Sequence, residues 1–218
     1  LRVAVFIDWM NVYKTAREAF GLEKESGRRG QIDPHRAGLL FAKALGSDLA
    51  RVEIHRGRAT LSQDPIGHLA ATLQANAWES SDPRVIKPQL RPLRRSQGTQ
   101  RLEEKGVDVA LASCAIEWAV IERVDHVVIF SHDSDLSPAV EVISRLNGPA
   151  SVQTASWRTE AYRRQIPPIQ GVRNFALSER MFLAIEDQTR YGRAAKERVA
   201  RRAGGGPRRE VRSSCPRF

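Results

Sequence analysis

Val3-Ala4-Val5-Phe6-Ile7-Asp8-Trp9-Met10-Asn11 carries an unbroken apolar run into an aspartate and then into a helical pattern. A short continuous run of this kind fits a strand buried on both faces, as in a parallel sheet. The same design recurs far along the chain, where Val127-Val128-Ile129-Phe130 leads into Ser131-His132-Asp133-Ser134-Asp135. Both segments place carboxylates where a buried strand gives way to a helix. In an open α/β sheet that is the end of the strands where ligands bind.

Outward from these two segments, strands and helices alternate. A helix is predicted over Asn11–Phe20, ending at Gly21. Asp33-Pro34 and Asp64-Pro65 each combine an N-cap residue with a proline at the first helical position, and open helices to about Leu45 and about Ser80. Strands are predicted at Arg51–Arg58, Arg84–Leu90, His126–Phe130 and Ser151–Ser156, with an edge strand at Asn174–Leu177. Arg91–Glu104 reads as a basic loop. Val107–Ile121 reads as a helix with Val107, Ala110, Leu111, Cys114, Ala115, Trp118 and Ile121 on one face. Further helices are expected over Leu136–Leu146 and from Ser178 to about Asp187. The alternation predicts an α/β fold, a mostly parallel central sheet with helices on both faces. Residues 1–187 form the expected domain, and 188–218 a basic, disordered tail.

The net charge of +10 is unevenly placed. Arg190–Phe218 holds ten Arg and Lys against two Glu, and a second basic cluster runs from Arg84 to Lys105. Basic excess attracts polyanions through counterion release, so nucleic acid is the expected partner, with a solubilising tail as the plainer alternative. No apolar run approaches the roughly 20 residues that cross a bilayer, so no membrane partner is expected. The start of the chain lacks a signal-peptide pattern, and the protein is expected in the cytoplasm. Cys114 and Cys215 lie in unrelated contexts, so neither a disulfide framework nor a zinc site is expected. Neither GxGxxG nor GxxxxGK[ST] follows the first strand, which removes support for a dinucleotide or P-loop site.

Four aspartates are candidate metal ligands: Asp8, Asp108, Asp133 and Asp135. Clustered carboxylates repel one another, a divalent cation relieves that repulsion, and hard oxygen ligands favour Mg²⁺ or Mn²⁺. Each also has a simpler reading. Asp8 and Asp108 sit where helix N-caps sit, and one of Asp133 and Asp135 suits a cap while the other ligates. Asn11, one turn beyond Asp8, reaches the same cleft or faces solvent. His132 contacts phosphate or is an incidental loop residue. Trp9 and Trp78 are stacking platforms for bases or core residues.

Three blocks in this order and spacing resemble the NYN family, bacterial relatives of PIN-domain ribonucleases. They are Phe6-Ile7-Asp8-x-x-Asn11, Glu104-Lys105-Gly106-Val107-Asp108-Val109-Ala110-Leu111 and Ser131-x-Asp133-Ser134-Asp135-Leu136-x-Pro138. The resemblance spans about Val3 to Asp187. It implies a PIN-like Rossmannoid three-layer sandwich and metal-dependent cleavage of RNA. Asp8, Asp108, Asp133 and Asp135 would be the metal carboxylates and Asn11 a polar helper. Arg91, Arg94, Arg95, Lys105 and His132 are the expected RNA contacts. Relatives commonly carry small residues at the positions of Trp9 and His132, and many carry an aspartate at that of Cys114. The Cys114 departure favours an alternative, an RNA-binding module of the same fold with weakened catalysis. A small-molecule phosphatase is a further rival, set back because no second aspartate lies two residues after Asp8. A fourth reading is an interaction protein docked on ribosomes or nucleic acid by its tail. Homodimers are also expected from relatives of this fold.

Overall fold

The computed structural model describes residues 1–96 and 101–203. Six strands form one parallel sheet: β1 (Arg2–Asp8), β2 (Asp48–Arg58), β3 (Ile86–Pro92), β6 (His126–Phe130), β7 (Val152–Trp157) and β8 (Arg173–Leu177). A separate antiparallel pair joins β4 (Arg94–Arg95) to β5 (Leu102–Glu103). The sheet order is β3-β2-β1-β6-β7-β8. The chain therefore winds from β1 to one edge and returns to wind from β6 to the other, which puts the topological switch between β1 and β6.

Alternation along the strands divides the core into two layers. Val3, Val5 and Ile7 face one side, with Val52, Ile54, Val128 and Phe130. On that side lie α1 (Trp9–Ala19), α2 (Pro34–Leu45), α3 (Pro65–Ser81) and α6 (Glu179–Ile185), which contribute buried Val12, Phe41, Trp78 and Phe182. Ala4, Phe6, Val127 and Ile129 face the other side, under α4 (Val107–Val120) and α5 (Ser137–Asn147). This is the expected three-layer α/β sandwich. Asp33 and Asp64 cap α2 and α3, each followed by proline, as their sequences predict.

Three expectations need correction. The buried stripe of α4 is Val107, Leu111, Ala115 and Ala119, at strict four-residue spacing, while Ile121 lies beyond the helix and is 69% exposed. Cys114 and Trp118 flank that stripe instead of sharing it, because α4 also covers polar residues of β2. The basic loop after β3 contains the β4–β5 pair, with residues 97–100 outside the described set. The expected disorder from residue 188 does not hold as far as Ala203. Tyr191–Ala203 forms α7, packed on α3 with Ala195 fully buried. Asp187 anchors it, accepting from Thr189 N (2.9 Å) and Tyr191 Oη (2.9 Å), and small Ala194-Ala195 allow a close approach that a count of charges does not register. The remainder of that basic segment, 204–218, lies outside the described residues. Among the described residues no helix is long and apolar enough to cross a membrane.

Candidate metal centre

At the β1–β6 switch, Ile7 is in register with Phe130, so the next residues of the two strands emerge side by side at the carboxyl edge. Asp8 ends β1 and Ser131 follows β6, and the Ser131 hydroxyl donates to Asp8 Oδ2 (2.9 Å). Asp8 Oδ1 accepts from Asn11 N (3.4 Å), so Asp8 caps α1 as well. A carboxylate has acceptor capacity beyond these two bonds, and the capping and ligand readings are compatible. Asp133 N–H donates to Ser131 Oγ (3.1 Å), which places the third carboxylate beside the first.

Asp108 arrives from the opposite wall. α4 begins after Gly106, whose φ of +73° is a left-handed conformation that glycine adopts without steric cost. The N-cap position is Gly106, and Asp108 lies in the first turn of α4, so the capping alternative does not describe it. One oxygen each from Asp8, Asp108 and Asp133 lie within 4.8 Å of one another. Asp135 stands outside this trio and is exposed, although its charge reaches Asp108. Its N–H donates to Asp133 Oδ1 (3.0 Å), and Asp133 thereby caps the short turn Ser134–Leu136.

His132 belongs to the scaffold. Its side chain is buried, and Nε2 accepts from Trp157 N (2.8 Å), which fixes the ring proton on Nδ1. Nδ1 faces Thr15 Oγ1 (3.1 Å) and Asn11 Oδ1 (3.2 Å), while His132 N–H donates to Asn11 Oδ1 (2.9 Å). Burial, then the charge of Arg164, pushes the imidazole down to about 3, so it is neutral. A ring with both nitrogens engaged inside the protein does not contact RNA, which corrects that expectation. Asn11 is the hinge of this network, tying α1 to the loop after β6. Trp9 is likewise interior, 2% exposed and packed on Trp78 with ring centroids 4.3 Å apart. Neither tryptophan is a stacking platform.

The carboxylates carry an unresolved charge problem. Burial pushes Asp8 up to about 7, opposed by the Ser131 hydrogen bond, and the charges of Asp108 and Glu104 add to the rise. Asp108 is raised by burial first and then by Asp133 and Asp135. Two carboxyls that resist ionisation, Asp8 and Asp108, converge with Asp133 on one point, and such a hard oxygen set fits a divalent cation, whose charge reverses that preference.

The cleft around the trio has a volume of about 350 Å³ and is also lined by Lys14, Glu18, Glu104 and Arg164. Sequence reading missed these four. Lys14 was accessible to it, since α1 presents positions 11, 14 and 15 toward the edge marked by Asp8. Arg164 lies in an irregular segment that carries no periodic signal. Arg91, Arg94, Arg95 and Lys105 are exposed and do not line the cleft; Arg91 and Lys105 flank the start of α4, and Arg94 and Arg95 form β4.

Residues 2–162 match the model of the NYN domain. The chain belongs to the NYN domain family. The matched span of this NYN domain holds Asp8, Asn11, Asp108, Asp133 and Asp135, and the family is generally one of nucleases. No curated protein matches the chain. A crystal structure of a protein of unknown function from Vibrio parahaemolyticus is similar, with a TM-score of 0.52 at 20% identity, over 82% of this chain and 92% of that one. That likeness concerns the fold, the same kind of α/β architecture. Cys114 is not part of the carboxylate trio.

Proposed function

We propose that this NYN domain is a metal-dependent ribonuclease that hydrolyses RNA phosphodiester bonds. The observation that carries the proposal is the convergence of Asp8, Asp108 and Asp133 within 4.8 Å at the sheet's switch point. Asp8, Asp108 and Asp133 would hold Mg²⁺ or Mn²⁺, with Asp135 at the rim. A cation held there supplies Lewis acidity toward water and phosphate oxygens. The chain's own residues do the rest. Ser131 and the N-terminus of α1 fix Asp8 in place, and Asn11 and His132 lock the loop bearing Asp133 against α1. Lys14 and Arg164, on the cleft wall, offer charge to a bound phosphate and to the developing negative charge of the leaving oxygen.

The surface supports a strand-shaped substrate. The aspartate cleft shares Met10, Lys14 and Glu104 with a neighbouring groove of about 590 Å³ that also holds Arg56 and Arg58. That groove shares Arg56, Gly67 and Ala71 with a third, of about 800 Å³, walled by Arg28, Arg190, Arg193 and Lys196. Cations are thus spaced from the carboxylates to α7, interspersed in the middle groove with Asp64, Glu103 and Glu104. Such cations grip phosphates and give affinity with little sequence preference.

The test is cleavage of labelled single-stranded RNA by purified protein in Mn²⁺, in Mg²⁺ and in EDTA, beside Asp8→Asn and Asp133→Asn. Cutting that needs metal and is lost in both variants is expected. Tight binding without cutting in any metal would overturn the enzymatic reading and leave an RNA-binding module.

A further inference from the structure

One strand over from Asp8, β2 carries Glu53 and His55 on the face covered by α4. Residues two apart on a strand share a face, and α4 brings Cys114 over them. One ligand atom each from Glu53, His55 and Cys114 lie within 4.8 Å of one another. His55 is 1% exposed and Glu53 3%. Among the described residues neither ring nitrogen of His55 has a hydrogen-bond partner, and neither does Glu53 Oε2. His55 Nε2 lies 3.3 Å from Oε2, an ion-pair distance, and against the burial that would raise it this contact holds the Glu53 carboxyl low, while Nδ1 has no partner among the described residues. Glu53 Oε1 is engaged by Arg51 Nε (3.1 Å), so one carboxylate oxygen is held by Arg51 while the carboxyl also meets His55 and Cys114.

A buried imidazole whose Nδ1 is unpartnered and whose Nε2 has only a long contact to Glu53 is costly to hold, and donating a nitrogen lone pair to a metal offsets that cost. We propose that Glu53, His55 and Cys114 form a second metal site, selective for a borderline-soft divalent ion of the Zn²⁺ type. Sulfur, imidazole nitrogen and one carboxylate oxygen are zinc's preferred donor kinds, and three protein ligands leave a fourth position for water. The aspartate trio offers oxygen alone and suits Mg²⁺ or Mn²⁺ instead. Cys114 is partly exposed, which gives the ion a way in. Bound there, the ion would fasten α4 to β2, about two turns along the helix from Asp108. Its occupancy can be read without any cleavage assay.

The full chain, stripped with chelator, is titrated with Co²⁺ as a spectroscopic stand-in for Zn²⁺, with saturating Mg²⁺ present to occupy oxygen sites. A thiolate-to-cobalt charge-transfer band is expected, saturating at one equivalent and abolished by Zn²⁺. It should persist in Cys215→Ser and in Asp108→Asn. Cys114→Ser, nearly isosteric, should lose it entirely, and His55→Ala should weaken Co²⁺ binding at least about 10-fold. Circular dichroism confirms folding, and Cys114→Ser decides the matter if His55→Ala fails to fold. Absence of the band, its survival in Cys114→Ser or its loss in Cys215→Ser would overturn the proposal and leave a metal-free Glu53–His55 pair.

Discussion

Replacing Asp8 by Asn separates the stability of the carboxylate trio from its use. Asp8 is 4% exposed and titrates in the fold at about 7, against 3.8 for an ordinary aspartate. Between those values the unfolded chain has released this proton while the folded chain retains it. The fold then binds more protons, so stability falls as pH rises through the window and stays at the lower level above it. At about 1.4 kcal/mol per pH unit, the ionised carboxylate costs the metal-free fold up to about 4 kcal/mol. Asn never ionises, and its amide keeps the shape needed to accept from Asn11 N. In EDTA the Asp8→Asn variant should therefore match the parent near pH 4 and melt well above it near pH 8, by up to roughly 8–16 °C for a chain of this size. His132 contributes a slope of opposite sign, because its folded value lies below its ordinary one, but it is present in both proteins and cancels in the difference. Mn²⁺ should reverse the order, raising the melting temperature of the parent and leaving the variant unmoved. Thermal melts across pH, with and without Mn²⁺, measure all of this. A melting difference that does not change with pH, or a variant less stable than the parent near pH 8 in EDTA, would refute the electrostatic account of the site.

Asp108→Asn and Asp133→Asn should each lower metal-dependent cleavage at least about 100-fold while RNA affinity in EDTA changes only a few-fold, as read from gels and anisotropy. His132→Ala should cost about 2–4 kcal/mol in urea unfolding, since Trp157 N–H loses its partner inside the core and Thr15 one of its three contacts; a cost near zero would remove its scaffold role. Alanine at Arg190, Arg193 and Lys196 together should weaken RNA binding and reduce its salt dependence by up to about three phosphate contacts, with single-turnover cleavage of saturating RNA unchanged.

Much of the fold was legible because the strands are buried on both faces. Val3–Ile7 and Val127–Phe130 must be apolar throughout, and Asp33-Pro34 and Asp64-Pro65 announce helix starts locally. The aspartates at the strand ends were legible for the same reason, since a charge after a buried run marks the sheet edge. What failed was whatever depends on neighbours distant in sequence. His132 read as a loop residue because nothing local shows that Trp157 N–H, 25 residues away, supplies its partner. Asp135 and Asp133 have the same local standing, and only the direction of the turn after β6 separates the carboxylate in the trio from the exposed one. α7 was hidden by its own charge, which outweighed the single buried face around Ala195. Glu53 and His55 were read only as part of the strand Arg51–Arg58, with no reason to connect them to Cys114 some sixty residues on.

The position of α4 is what makes these separate observations one argument. Asp108 enters the trio only if the turn before it approaches β2 closely, and Gly57 permits that approach. A Cβ on Gly57 would lie 2.7 Å from Glu104 Cγ and 2.2 Å from a Leu93 methyl, so any larger residue would displace the Leu93 and Glu104 side chains. Gly57 N–H in turn donates to Glu104 Oε1, fixing the residue whose charge reaches both Asp8 and Arg56. Gly106 then turns the chain into the helix, and the stripe Val107, Leu111, Ala115 and Ala119 seats it on the sheet. Beside that apolar stripe runs a polar one along β2, where Arg51 lies over the Trp118 ring (5.0 Å) and Glu53 and His55 face Cys114. A helix seated on apolar residues alone could slide along the strand by small repacking. A buried polar stripe resists that, because a shift would separate Arg51 from Trp118 and Cys114 from its neighbours. Residues remote from the cleft therefore set where Asp108 sits, and with it the spacing on which any cation at the trio depends.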